Sequence, residues 1–525
     1  MPKRFWLYWL IAIAVAWGFD LLFWGKAPGI SVTLWILLVL VTGVSLNVSE
    51  GRKPSLWNIP LMVLALGSAV VPAIRSDPLT NFSALAVCFI SLFLLAFSYE
   101  KAYWMFYRIQ DHIKALLSLI GAMFTRPLGL HKAEAATAKP AGGSPKKTGR
   151  ILFAILRGIL IAIPVLGILA VLLAAADPIF SQWLVTIFNL QLLPEYLFRL
   201  IIIIILAFLL TGAWLHAGFP SRGEKKPDDG RVILKPFVGW IESSVVLFLV
   251  DVLFLSFVIL QVRYLFGGQA GSGFTYSEYA RRGFFELVAV AIVSMLLYLV
   301  IGTVTRRTAR HEKITFTVLA SLLIALVLVI LASSFQRLAQ YEQAYGFSRL
   351  RTYTHVFILW LAVLLVATLV LEVLRRQRWL GACLLCCVLG FAVTLASLNV
   401  DGFILQHNLG RVAHGFRYDT QYAITLSNDA VPAIISAFHD PTYNSGVRDQ
   451  LGATLACRLA VMETETRPWQ SFNLGDAKAY RLLTQTKPEL LDYPVTVTDG
   501  IWQVSVAGHP QECFPALPID YIPDR

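Results

Sequence analysis

The sequence predicts an all-α polytopic membrane protein of about eleven transmembrane helices, ending in a small, mainly helical outer domain with one β-hairpin. Three observations predict it. The chain of 525 residues is 57% hydrophobic and only 14% charged, with a mean hydropathy of +0.67. An average globular protein carries about 25% charged residues, so this chain lacks the charge that a water-facing surface of its size needs. Apolar runs near 20 residues recur along it, the length that a hydrocarbon core of about 30 Å demands of a helix rising 1.5 Å per residue. The net charge of +12 sits in short clusters between those runs. It forms no basic stripe with interleaved aromatics, so it reads as the positive-inside bias of membrane insertion and not as a nucleic-acid footprint.

The elements follow in order. Lys3 and Arg4 precede the apolar stretch 5–24, which exceeds a signal-peptide core and is followed by no small-residue cleavage site. It reads as an uncleaved first span. The tight turn Lys26-Ala27-Pro28-Gly29 returns the chain into a second span, 30–47. Spans 57–74 and 80–98 come next. Then Phe106, Ile109, Ile113, Leu116, Leu117 and Ile120 recur on one helical face, with Arg108, Asp111 and Lys114 off that stripe. Such a helix lies in the cytoplasmic membrane interface, drawn by anionic lipid.

Residues 126–150, rich in Ala, Gly, Pro and Lys, cannot bury a core and read as a flexible basic linker. Beyond it lie the spans 151–175, 200–217, 237–265, 284–304, 314–336, 353–374 and 379–399, with a one-faced interfacial segment at 178–191. The chain thus divides into a four-span unit 1–125, the linker 126–150, a seven-span main unit 151–399 and an outer domain 400–525. In the last, charge rises and turn residues appear. Residues 429–438 and 447–463 read as helices, and 494–506 alternate about Asp499-Gly500 as a hairpin.

With the N-terminus inside, the cytoplasmic connections hold 25 lysines and arginines and the outward ones about nine. That asymmetry predicts a cytoplasmic N-terminus and linker, with residues 400–525 outside a bacterial inner (plasma) membrane.

No phosphate-binding loop, dinucleotide fingerprint, nucleophile elbow or kinase signature is present, and no catalytic residue, cofactor or metal is expected. Cys383, Cys386 and Cys387 fall in a span, where cysteine behaves as a small apolar residue. Cys457 and Cys513 both fall in the outer domain, where a disulfide persists. Asp251 lies near the middle of 237–265, where a carboxylate costs at least about 2.5–3.5 kcal/mol. It reads as an ion or proton site or one half of an internal salt bridge, the alternative being a residue that is protonated or faces a wet crevice between helices. Arginines and tyrosines also gather at the outer ends of spans seven to ten: Arg281, Arg282, Arg337, Arg349 and Arg351 with Tyr276, Tyr279 and Tyr341. Together they suit an anionic ligand, with Glu278 and Glu286 as supporting carboxylates. The alternative is aromatic-belt anchoring with structural ion pairs.

Several segments resemble the bacterial multi-pass membrane proteins grouped as domains of unknown function 4153 and 4173. They are Asp20-Leu21-Leu22-Phe23-Trp24-Gly25-Lys26, residues 273–284, Tyr345-Gly346-Phe347-Ser348-Arg349, Asn399-Val400-Asp401, Leu426-Ser427-Asn428-Asp429-Ala430-Val431-Pro432 and Trp469-Gln470-Ser471-Phe472-Asn473-Leu474. The resemblance implies an integral membrane protein and transfers no catalytic residue. Val400 departs from the Asn-Pro-Asp that the group usually shows.

The leading functional reading is a non-enzymatic envelope module, a sensor, assembly or regulatory partner whose outer domain meets another protein. The alternative is a transporter or lipid-handling protein using Asp251 and the outer arginines. An enzyme acting on lipid-linked sugars ranks last, because the first outer loop is only a tight turn. The expected partners are membrane lipid and an anionic ligand or an outer protein. The topology has a direct check. Alkaline phosphatase fused after Leu405 should be active and a fusion within 126–150 inactive; the opposite pattern refutes the orientation.

Overall fold

The computed structural model describes residues 2, 4–100, 104, 109–137, 169, 173, 176–177, 193–219, 236–266, 283–413, 420–498, 500–506 and 508–513. Among these, ten helices are long and apolar enough to cross a membrane. The expected span 151–175 and the one-faced segment 178–191 lie almost wholly outside the described residues. So do positions 138–150 of the expected linker, but the helix before them runs on to Thr137 and takes its first residues.

The first layer is built from α1 (Phe5–Phe23), α2 (Ile30–Ser49), α3 (Ile59–Val70) and α4 (Pro78–Ser98). Each is apolar all round, so burial sorts its faces by size and shape and not by polarity. In α1, Tyr8, Ala12, Val15 and Ala16 turn inward, while Trp6, Leu10, Ile13 and Trp17 stay exposed for lipid. Small inward residues let membrane helices approach closely, since lipid removes the hydrophobic drive between them. α4 begins where Pro78 occupies the first turn and the Asp77 side chain accepts the Thr80 N–H.

α5 (Ile109–Thr137) buries Ala115, Leu119 and Ala122. It leaves Ile113, Leu116, Leu117 and Ile120 exposed, so its apolar stripe is turned away from the protein. α6 (Leu193–Gly218) joins the same core as α1–α4 through Ala207, Leu210 and Trp214. The sequence reading put this span in the seven-span unit; its polar ties run the other way. Asn47 accepts the Tyr8 hydroxyl at 3.1 Å and donates to the Trp214 carbonyl at 3.3 Å. At the opposite membrane end, Arg199 pairs with the buried Asp20 and lies over the Trp24 ring.

The second layer holds α7 (Trp240–Phe266), α8 (Phe284–Val304), α9 (Arg310–Tyr345), α10 (Arg349–Val373) and α11 (Leu380–Ser397) around Phe316, Leu323, Ile324 and Leu365. α9 has 36 residues, about 54 Å of helix at 1.5 Å per residue. That is well beyond a hydrocarbon core, so its last turns project from the membrane. α4 packs on α11 and joins the two layers.

The projecting end of α9 meets a C-terminal cap. It comprises α12 (Val400–Ala413), α13 (Thr420–Thr425), α14 (Val431–Phe438), α15 (Ser445–Thr464) and α16 (Leu474–Thr486). A sheet of β1 (Val495–Thr498), β2 (Ile501–Val506) and β3 (His509–Glu512) follows. Its order is β1-β2-β3, both pairings antiparallel, with Thr498 opposite Ile501 and Val506 opposite His509. Only the first hairpin was expected, since His-Pro-Gln-Glu carries no apolar alternation. Asn444 and Asn473 are the side-chain N-caps of α15 and α16.

The cap has its own core of Ile404, Leu405, Val431, Ile434, Leu451, Leu455 and Leu483. A Cys457–Cys513 disulfide, with Cα atoms 5.5 Å apart and a sequence separation of 56, ties the end of the sheet to α15. Replacing Cys457 with Ala, or adding reductant, should destabilise the cap by roughly 2–5 kcal/mol. The measurement is thermal unfolding of the purified protein, and an unchanged midpoint counts against the bridge.

Candidate functional site

The site grows from helix ends that the sequence places far apart. Ser76 and Asp77 form the turn before α4, Arg349 and Tyr353 open α10, and Asn399 and Asp401 open α12. All three ends lie on one face of the membrane body, and the cap sits on that face.

Arg349 and Asp401 are its centre. Nε and Nη2 of Arg349 donate to the two carboxylate oxygens of Asp401 at 2.7 and 2.6 Å, a two-pronged pair. Such fork-to-fork bonds fix direction as well as charge. Asp401 is fully buried and also accepts the Ser427 N–H at 2.6 Å. Asp77 lies 3.9 Å from Arg349 Nε and accepts the Tyr353 hydroxyl. The Arg349 N–H donates to the Tyr422 hydroxyl oxygen at 2.6 Å.

A second set of bonds extends the first. Asn399 accepts the Gly402 N–H and donates to the Asp429 carbonyl at 2.8 Å. The Asp429 carboxylate accepts the Ser76 N–H at 2.8 Å. The Asn473 amide donates to the carbonyls of Pro72 at 2.8 Å and Arg75 at 2.9 Å. Ser76 and Asn428 both donate to Asp476, which pairs with Arg467 at 2.8 Å. Each bond in this set joins the cap to the α3–α4 turn or one part of the cap to another.

Two glycines make the close approach possible. A Cβ on Gly29 would lie 2.6 Å from the Phe472 carbonyl oxygen, which accepts the Ile30 N–H. Gly346 has φ 81°, and a Cβ there would meet Arg411 and Asn408 at under 3 Å. Those two side chains occupy the turn: Asn408 exchanges two hydrogen bonds with Phe347, and Arg411 donates to the Gln343 and Ala344 carbonyls.

Burial alone would raise the Asp401 carboxyl, but the Arg349 guanidinium and the Ser427 N–H outweigh it and hold the group below the usual carboxylate range. Asp429 goes the other way. Burial pushes it up, with Asp401 and Asp476 adding to the rise against the Ser76 N–H and Arg75.

The residues singled out from sequence fall in several places. Arg349 is the hub of this network. Arg351 lies over the Tyr341 ring at 4.1 Å and donates to the carbonyls of Tyr345 and Gly346. Arg337 is buried, its guanidinium 3.1 Å from where a Gly283 Cβ would stand. Glu286 is exposed, and the carboxylates that hold Arg349 are Asp401 and Asp77. Glu342 pairs with His355 at 2.9 Å. Tyr276, Glu278, Tyr279, Arg281 and Arg282 lie outside the described residues. Asp251 is 2% exposed within α7, and among the described residues neither carboxylate oxygen has a hydrogen-bond partner.

Sequence reasoning missed the roles of Asp77, Tyr422, Asp429 and Asn473. The Asp-Pro step at 77–78 marks a helix start, but its partner Tyr353 is 276 residues away.

A family model described as domain of unknown function (DUF4153) matches residues 61–437. No curated protein and no solved structure matches the chain.

The two buried aspartates should behave oppositely. Asp401 has a depressed folded-state pKa, so its stabilisation is present above the unfolded value and is lost as pH falls through the folded one. Asp429 has a raised pKa, so its contribution is present at low pH and is lost as pH rises through the folded value. At neutral pH, Asp401→Asn should cost roughly 3 kcal/mol, the low end for a broken buried pair because part of the Arg349 side chain is exposed. Asp429→Asn should match or exceed the wild type. Thermal melts of both variants from about pH 4 to 8 test this, and equal losses contradict it.

Proposed function

The chain belongs to the family described as domain of unknown function 4153, and from that premise we propose that it works as a non-enzymatic module of a bacterial inner membrane. In this reading it holds a rigid cap outside the bilayer for an envelope partner, as a sensor, assembly or regulatory component. One observation carries the reading. The polar groups at the junction are used on one another: Arg349 on Asp401, Tyr353 on Asp77, Asn399 and Ser76 on Asp429. A junction saturated in this way transmits position between cap and bundle and leaves little chemistry for turnover.

Charge supports the orientation. Arg52, Lys53, Arg126, Arg306, Arg307, Arg310 and Arg375–Arg378 lie at the membrane end away from the cap, which is the cytoplasmic end under the positive-inside rule. The family match takes in both sides of the Arg349–Asp401 latch and stops at the end of α14, ahead of α15, the disulfide and the sheet. A family-matched region that contains the latch, with the distal cap beyond it, suits a common mechanism that serves different partners.

A second reading has its own support. Asp251, buried inside α7 without a hydrogen-bond partner among the described residues, is the kind of intramembrane carboxylate that carries protons or cations in transporters.

Complementation of a deletion strain separates the two. A module should fail with Asp401→Asn and survive Asp251→Asn, and photo-crosslinkers at the exposed positions Tyr480 and Val497 should give a discrete protein adduct. Survival of Asp401→Asn with loss in Asp251→Asn would overturn the module in favour of transport.

A further inference from the structure

The arginines at the two membrane ends are handled differently. On the cap side Arg349, Arg351 and Arg199 are each held by a carboxylate, carbonyls or an aromatic ring. At the other end, a cavity of about 520 Å³ opens between the end of α8, the α10–α11 turn and the start of α5, with Arg307, Arg375, Arg376 and Arg378 on its wall. Its volume falls within the range of about 300–1,000 Å³ typical of small-molecule sites.

Glu372 is a carboxylate beside this cavity; its charge reaches Arg307, but it forms no close ion pair with any of those arginines. It is 1% exposed and accepts hydrogen bonds from the Tyr298 hydroxyl at 2.7 Å, the Thr317 hydroxyl at 3.0 Å and the Gln377 amide. Arg307 is placed by the Gly302 carbonyl at 2.6 Å and the Phe316 ring at 3.9 Å. Among the described residues no carboxylate forms an ion pair with any of the four.

The turn itself reinforces the point. Arg375 is the one described non-glycine residue at positive φ, 57°. It occupies the position after α10 where helices usually end on glycine, because a side chain there meets steric strain. An arginine at this place keeps the turn and adds a guanidinium to the cavity rim.

We propose that this cavity binds a phosphate-bearing anion, with Arg307, Arg375, Arg376 and Arg378 as its cationic wall. Guanidinium groups match phosphate oxygens in pairs, and Thr303 and Gln377 supply neutral donors beside them. The same chemistry serves a lipid headgroup of the adjacent leaflet or a soluble phosphate compound.

The test uses the full-length protein in nanodiscs of phosphatidylcholine, with either phosphatidylglycerol in the bilayer or inorganic pyrophosphate in solution as the probe. Binding is read as thermal shift and as ligand retained in native mass spectrometry. The triple variant Arg375→Ala/Arg376→Ala/Arg378→Ala removes exposed side chains and should fold. It should lose at least about 10-fold in affinity, while the control Arg52→Ala/Lys53→Ala at the same membrane end stays within about twofold; a merely diffuse basic surface would instead weaken both by a similar amount per residue. Response to phosphatidylglycerol assigns a lipid headgroup, and response to pyrophosphate alone assigns a soluble ligand; both uphold the site. No response to either probe, or equal losses in the triple variant and the control, overturns it.

Discussion

A carboxylate removed from water must be compensated where it stands, and the buried Asp401 finds that compensation in one residue of another helix, Arg349. The geometry of the whole C-terminal half follows from this pair. Arg349 is the first residue of α10 and Asp401 lies in the first turn of α12. A two-pronged bond between them sets where the chain turns as it leaves the membrane. Ser427 then binds the same carboxylate, which brings the 426–432 segment over the membrane body, and Asp429 reaches the turn before α4. The cap is positioned by hydrogen bonds that run from this pair to the turn before α4.

The same constraint explains why the two membrane ends differ. Lipid accepts apolar side chains without selecting a face, so the helices are distinguished by the few polar atoms they carry. Where two layers and a cap meet, those atoms find protein partners. At the other end no domain among the described residues covers the helix ends, and arginines of the α8–α9 and α10–α11 turns line a cavity instead. Helix packing in the first layer shows the rule on a smaller scale. Asn47 joins α1, α2 and α6, and Asp20 with Arg199 joins α1 to α6 across a long separation in sequence.

Much of the fold could be read in advance. Ten of the expected spans coincide with helices, displaced at their ends by a few residues because polar residues continue a helix past the bilayer, as Arg310 and Gln336–Tyr345 do in α9. Two of the five cap helices, α14 and α15, and the first hairpin were visible in the sequence, the hairpin through the turn at Asp499-Gly500; α12, α13 and α16 were not. β3 was not, since its residues show no alternation. The placement of α6 in the first layer was not either, because an all-apolar helix carries no record of which neighbour it will choose.

For the candidate site, the sequence alone determined the type of residue, and its charge asymmetry predicted a side of the membrane. Hydropathy marks which segments suit lipid, and counts of lysine and arginine predict an orientation, because both are sums over local residues. Arg349 stood out in this way as a cation at an unfavourable end. Its partnership with Asp401, the reach of Asp429 to Ser76 across 353 residues and the hold of Asn473 on the Pro72 carbonyl were decided only by tertiary structure. A hydrogen bond depends on distance and angle between two atoms, and no local pattern in one segment encodes the position of the other.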